Sequence, residues 1–110
     1  MSAMANPWAG EVALVIGGER HVMRLTLGAL AELEAALEQG SLVDLVARFE
    51  EGAFSSRDVL ALIVAGLRGG GWRGSAADLL SAEIEGGPLA AARAAAELLA
   101  RAFALPEAGG

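Results

Sequence analysis

Three sets of residues in this chain could do chemistry: aspartates at regular spacing from serines, a single histidine, and a glycine-rich stretch carrying arginines. Asp44, Asp58 and Asp78 each stand three residues after a serine, in SLVD from Ser41, SSRD from Ser55 and SAAD from Ser75. Gathered around His21, such carboxylates would make an acid–base or metal site. The same spacing also defines a helix start: the serine oxygen accepts an N–H of the first turn while the acid reaches back to the cap N–H. An acid there faces the positive end of the helix dipole. Each Ser-x-x-Asp opens an apolar run, so the three pairs are expected to cap helices. His21 has no second histidine or cysteine to complete a metal set, and no Ser-His-Asp order with the context of a known motif surrounds it. Catalytic, cofactor-binding and metal residues are therefore all expected to be absent, and the protein is expected not to be an enzyme.

The stretch GLRGGGWRGS, residues 66–75, has the look of a phosphate cradle. A Walker-type loop needs G-x-x-x-x-G-K-[ST], and every basic residue here is an arginine. A dinucleotide loop follows a strand and opens a helix, whereas this one follows a helical pattern. It reads instead as a helix stop at Gly69 to Gly71, a connector holding Trp72 as an anchor on the core, and a new cap at Ser75. Arg68 and Arg73 then stand as rim charges or as contacts for an acidic partner.

The elements that would position these residues follow from periodicity. Val12, Leu14 and Ile16 alternate with Glu11, Ala13 and Val15, and a second alternating run covers 20–26, with GGE between them; this is a hairpin signal. Thr26 is expected to cap a helix from Leu27 to about Glu38, with Leu27, Leu30, Leu33 and Leu37 as its buried stripe and Gly40 as its stop. Leu42, Leu45, Val46 and Phe49 share one face of a helix over 42–50. Residues 56–68 are apolar on nearly every side, which predicts the buried centre of the fold. A further helix is expected over 76–85. The last begins at Pro88, runs to about Ala104, and is expected to turn Leu89, Ala92, Ala96, Leu99 and Phe103 inward; Arg93, Glu97 and Arg101 support one another four residues apart. The expected fold is α+β and mostly α: an N-terminal hairpin followed by about five short helices around a central apolar one. It forms a single domain over 11–105, between flexible segments 1–10 and 106–110.

Composition narrows the function classes. The chain has 110 residues, 55% of them hydrophobic and 5% aromatic, with net charge −6 and no cysteine. One small domain rich in alanine and leucine suits close-packed helices. An acidic chain without a basic stripe is a poor nucleic-acid binder. No apolar run reaches the roughly 18–20 residues of a membrane helix, and MSAMANPWAGE lacks the order of a secretory signal. No nucleic-acid or membrane partner is expected, and the expected location is the cytoplasm.

The strings LTLGALAELEAAL (25–37), FSSRDVLALIVAGLRGGG (54–71), AADLLSAEIEGG (76–87) and AAELLARAF (95–103) together resemble the small tail assembly chaperone-like proteins of gene transfer agents and related tailed phages. The resemblance covers about 6–106, and its motifs are structural, so it brings no catalytic residues. It implies a role in building a phage-like tail, with the tape measure protein or other tail proteins as partners and self-association left open. Two roles fit it: a chaperone shielding the apolar helices of the tape measure protein, or a structural tail component. A generic helical adaptor is the reading outside tails. Tryptophan and arginine are enriched at interface hot spots, so the expected partner-binding residues are Leu67, Arg68 and Trp72, at the edge of a groove shared with the last helix.

Overall fold

A computed structural model of the chain describes residues 10–37 and 40–103. Two strands, β1 (Glu11–Ile16) and β2 (Glu19–Arg24), are followed by five helices: α1 (Leu27–Ala36), α2 (Leu42–Glu51), α3 (Ser56–Gly69), α4 (Ala76–Leu80) and α5 (Gly87–Ala102). This is the expected mostly helical α+β architecture. The expected flexible ends lie outside the described residues, Gly10 excepted.

The hairpin turns more tightly than GGE implies. Ile16 pairs with Glu19, leaving Gly17 and Gly18 as a two-residue turn, and both have positive φ, 59° and 82°. That conformation matches the twist of the flanking strands and favours glycine at both positions. The register puts Val12 opposite Met23 and Leu14 opposite His21, so Val12, Leu14, Ile16 and Met23 face inward and are buried.

α3 lies at the centre, packed against β2, α1, α5 and α4. Its Leu62, Ile63 and Leu67 are at most 2% exposed, as its unbroken apolarity predicts. The glycines of its last turns are there for proximity. A Cβ on Gly66 would come within 2.7 Å of Leu98 Cδ1 of α5. A Cβ on Gly69 or Gly70 would run into the carbonyl oxygens of Arg24 and Val22, on the outer edge of β2. The GLRGGG segment thus covers a strand edge that would otherwise be free to pair with another chain.

Four helix readings need correction. α1 ends at Ala36, where Leu37 takes an extended C-cap conformation (φ −73°, ψ 130°) and packs against the core. Gly40 (φ +82°) is therefore not the stop of α1; it precedes the Ser41 cap of α2, and the Glu38 end lies outside the described residues. Leu27 is 84% exposed, because the first residue of a helix overhangs the surface on which the later turns pack. α4 stops at Leu80 rather than residue 85. Ile84 instead bridges to Ile16, with Gly17 N–H donating to Glu83 O (2.7 Å) and Glu85 N–H to Val15 O (3.0 Å). The open edge of β1 outcompetes continuation of a helix into EIEGG.

Last, α5 buries a different face from the expected one. The helix starts at Gly87 with Pro88 in its first turn, and its buried residues are Ala91, Ala94, Ala95, Leu98 and Leu99. Of the expected inward stripe only Leu99 is buried. Ala92 is half-buried, and Leu89, Ala96 and Phe103 are exposed. The close approach of α3 at Gly66 admits the alanine-rich face and leaves the face bearing Leu89 and Phe103 outside. The expected end at Ala104 lies outside the described residues.

Candidate partner-binding surfaces

Each aspartate turns back to its own serine. The Ser41 N–H donates to Asp44 (2.9 Å), that of Ser55 to Asp58 (2.9 Å) and that of Ser75 to Asp78 (2.8 Å). In return Asp44 N–H reaches Ser41 Oγ at 3.4 Å and Asp58 N–H reaches Ser55 Oγ at 3.1 Å. Thr26 Oγ1 accepts from Ala29 N–H at 3.1 Å, as its expected capping role requires. His21 lies elsewhere, on the inner margin of the hairpin, with Nε2 3.9 Å from Glu19 Oε1. Among the described residues no group of three or more histidines, aspartates and glutamates could hold a metal ion. No helix among them is long and apolar enough to cross a membrane.

Asp58 has a second task that sequence reasoning missed. Arg48 grips it with both ends of its guanidinium, Nε to Oδ2 at 3.0 Å and a terminal nitrogen to Oδ1 at 2.9 Å. Asp58 is the buried polar residue of this region, 8% exposed. The hydrogen bonds from Arg48 hold its carboxyl below the usual range, against the opposing effect of burial, and the Ser55 N–H adds to the depression. The same hydrogen bonds raise Arg48 above its ordinary value. A signal did exist: only a short loop joins α2 to α3, so a basic residue in the last turn of α2 must lie near the acid in the first turn of α3. Phe49 and Phe54, stacked with centroids 4.4 Å apart, hold that loop.

An open groove of about 650 Å³ runs between α1 and α3. Leu33, Ala36 and Leu37 line one wall and Leu60, Ala61 and Val64 the other, with Arg48 and Arg57 toward one end and Arg68 toward the other. Of the expected partner-binding residues only Arg68 lines this groove, and α5 takes no part in it. Leu67 is 1% exposed, so it belongs to the core and cannot present an edge. Trp72 is half-buried against the core, its ring over Gly74, where a Cβ would collide with it. Arg68 is exposed; its Nε donates to Glu32 at 3.0 Å and a terminal nitrogen to the Gly74 carbonyl at 3.3 Å.

Apolar surface elsewhere is dispersed over the helix ends: Leu27 on α1, Val43 on α2, Leu80 on α4, and Leu89 with Phe103 on α5. The described surface thus offers helix faces and a groove for other proteins, on a fold whose capping acids are already engaged.

The family model described as "Phage tail tube protein, GTA-gp10" matches residues 9–105, and the chain belongs to that family. The gene transfer agent and phage tail resemblance therefore holds at the level of the family, and other tail proteins are its partners. No curated protein and no solved structure matched.

Proposed function

We propose that this chain is a non-enzymatic structural component of a phage-like tail, assembled in the cytoplasm and retained in the finished particle. The observation that carries the reading is the family match over 9–105, whose description is that of a tail tube protein. The engagement of all three aspartates in helix caps supports action through contact rather than through chemistry. Quantitative proteomics of purified particles tests it. Retention predicts this chain in fixed ratio to the other tail proteins; its absence from intact particles overturns the reading.

One observation favours a second role, shielding of the tape measure protein during assembly. The groove between α1 and α3 has apolar walls and charged ends, the form in which an amphipathic helix is held in helix-in-groove recognition. In that role the chain is absent from particles and co-purifies with the tape measure protein from cells. Ala61→Glu, in the groove wall, then abolishes capture while Trp72→Ala leaves it intact.

A further inference from the structure

The outward face of α5 carries an apolar stripe that, among the described residues, is left exposed except at the half-buried Ala92. It consists of Leu89, Ala92, Ala96, Ala100 and the C-cap residue Phe103. Leu89 is 60% exposed and Phe103 42%, so a large side chain stands at each end. Spacings of three, four, four and three residues make the stripe symmetric about Ala96. A helix with such a stripe is its own complement when a second copy runs antiparallel to it. A two-fold axis through Ala96 sets Leu89 of one copy against Phe103 of the other, and Ala92 against Ala100. Small residues at the centre allow the backbones to approach closely.

Charge selects the same arrangement. Arg93 and Glu97 lie along one margin of the stripe, both exposed. Antiparallel packing about a two-fold brings like margins together, so Arg93 of each copy comes level, within about one turn of 5.4 Å, with Glu97 of the other. The two Glu97 residues, themselves level across the axis, are flanked by the two arginines. Parallel packing would place that margin against Ala92 and Leu99 and leave the charges unmatched. Glu97 already accepts from Arg101 at 2.7 Å, which orients its carboxylate along the same margin.

We infer that α5 is a self-association surface, on which a second copy of this chain docks antiparallel about Ala96. A closed two-fold contact of this kind is isologous, the same patch serving both subunits. The contact is one helix of 16 residues long, at the small end of specific interfaces, so the pair exchanges readily and forms at the local concentrations of an assembling particle. This surface is separate from the α1–α3 groove, and the inference stands whichever tail role holds.

The absence of cysteine makes the test direct. Helix axes about 8–10 Å apart, less two Cα radii of about 2.3 Å, bring the two Ala96 Cα atoms to about 3.5–5.5 Å. That overlaps the span a disulfide bridges, about 4.4–6.8 Å. The full chain with Ala96→Cys, oxidised at micromolar concentration, is expected to run as a covalent dimer on a non-reducing gel. Val43→Cys, on an equally exposed site of α2, is expected to remain monomeric. When Leu89→Cys and Phe103→Cys chains are mixed, the mixed dimer is expected to dominate over either homodimer. Sedimentation equilibrium of the unaltered chain, which needs no substitution, is expected to show a monomer–dimer equilibrium that Ala96→Glu weakens by about tenfold or more. Cross-linking at residue 96 no faster than at 43, a Leu89→Cys homodimer as the main product, or an unaltered chain monomeric up to millimolar concentration each overturns the inference; the last leaves the face to a different protein.

Discussion

Replacing Asp58 by asparagine should cost far more than the same change at Asp44 or Asp78, although all three occupy the same place in a helix-start motif. At Asp44 and Asp78 the acid answers the N–H of its cap serine, at 2.9 and 2.8 Å, on exposed residues. An amide keeps an acceptor there, so the expected loss is about 0.5–1 kcal/mol, mostly from the helix dipole and weaker capping. Asp58 performs that role and also takes both hydrogen bonds of Arg48, whose side chain is 27% exposed against 10% for the acid. The asparagine variant leaves the guanidinium without its counter-charge. Removing one partner of a fully buried pair costs about 3–5 kcal/mol; the water contact that Arg48 retains brings the expectation to about 2–4 kcal/mol. For a domain of this size the difference from the other two variants is roughly 10 °C in Tm, measurable by thermal unfolding followed by circular dichroism. Adding Arg48→Met to Asp58→Asn should recover part of the loss, because it removes the unmatched charge. Melting of Asp58→Asn within error of Asp44→Asn would refute the second role of Asp58. Acid supplies a second reading. The folded carboxyl titrates below its unfolded value, near 3.9, so its contribution is complete above that value. It disappears as pH falls through the depressed folded value. The stability gap between the unaltered protein and Asp58→Asn should therefore be constant near neutrality and close in strong acid.

Glycines provide a pair of predictions with opposite signs. Gly70→Ala meets the Val22 carbonyl, a backbone atom that cannot rotate away, and should destabilise by about 1–3 kcal/mol in urea unfolding. Gly28→Ala, whose Cβ would find only Thr26 Oγ1 at 3.9 Å, should stabilise α1 by about 0.5–1 kcal/mol. Leu67→Ala should cost about 2–5 kcal/mol as a core truncation. Arg68→Ala, which breaks an exposed pair with Glu32, should cost less than about 1 kcal/mol; comparable losses at the two positions would refute the placement of Leu67 in the core.

Much of this structure can be read from short-range signals, and the exceptions share a cause. The Ser-x-x-Asp motifs, the Thr26 cap and the Gly17–Gly18 turn are settled within four or five residues, by hydrogen bonds or allowed φ values. The central place of α3 is legible from its composition alone. Ile84 fails such a reading because its partner, Ile16, is distant in sequence, and local pattern alone favours a continued helix. α5 fails differently. It is apolar on two faces, and periodicity cannot choose between the stripe with Leu89 and Phe103 and the one with Ala91, Ala94, Ala95 and Leu98. Gly66, on another helix, makes that choice by demanding a close contact. Residue type alone points to Leu67, Arg68 and Trp72 as partner-binding residues. Leu67 is enclosed, Trp72 lies on Gly74, and the α1–α3 groove needs two helices from different parts of the chain to exist.

Arg101, near the end of α5, donates to the carbonyl of Glu11, at the start of β1, across 90 positions of sequence. During synthesis the first strand therefore emerges long before the helix that pins it. Until α5 has emerged from the ribosome, β1 has β2 beside it but lacks α5, and its inner valine, leucine and isoleucine are only partly covered. The hairpin therefore cannot reach its final packing until α5 has been made. A nascent chain stalled before Gly87 should remain open to protease along its hairpin, and one extended beyond α5 should be protected there.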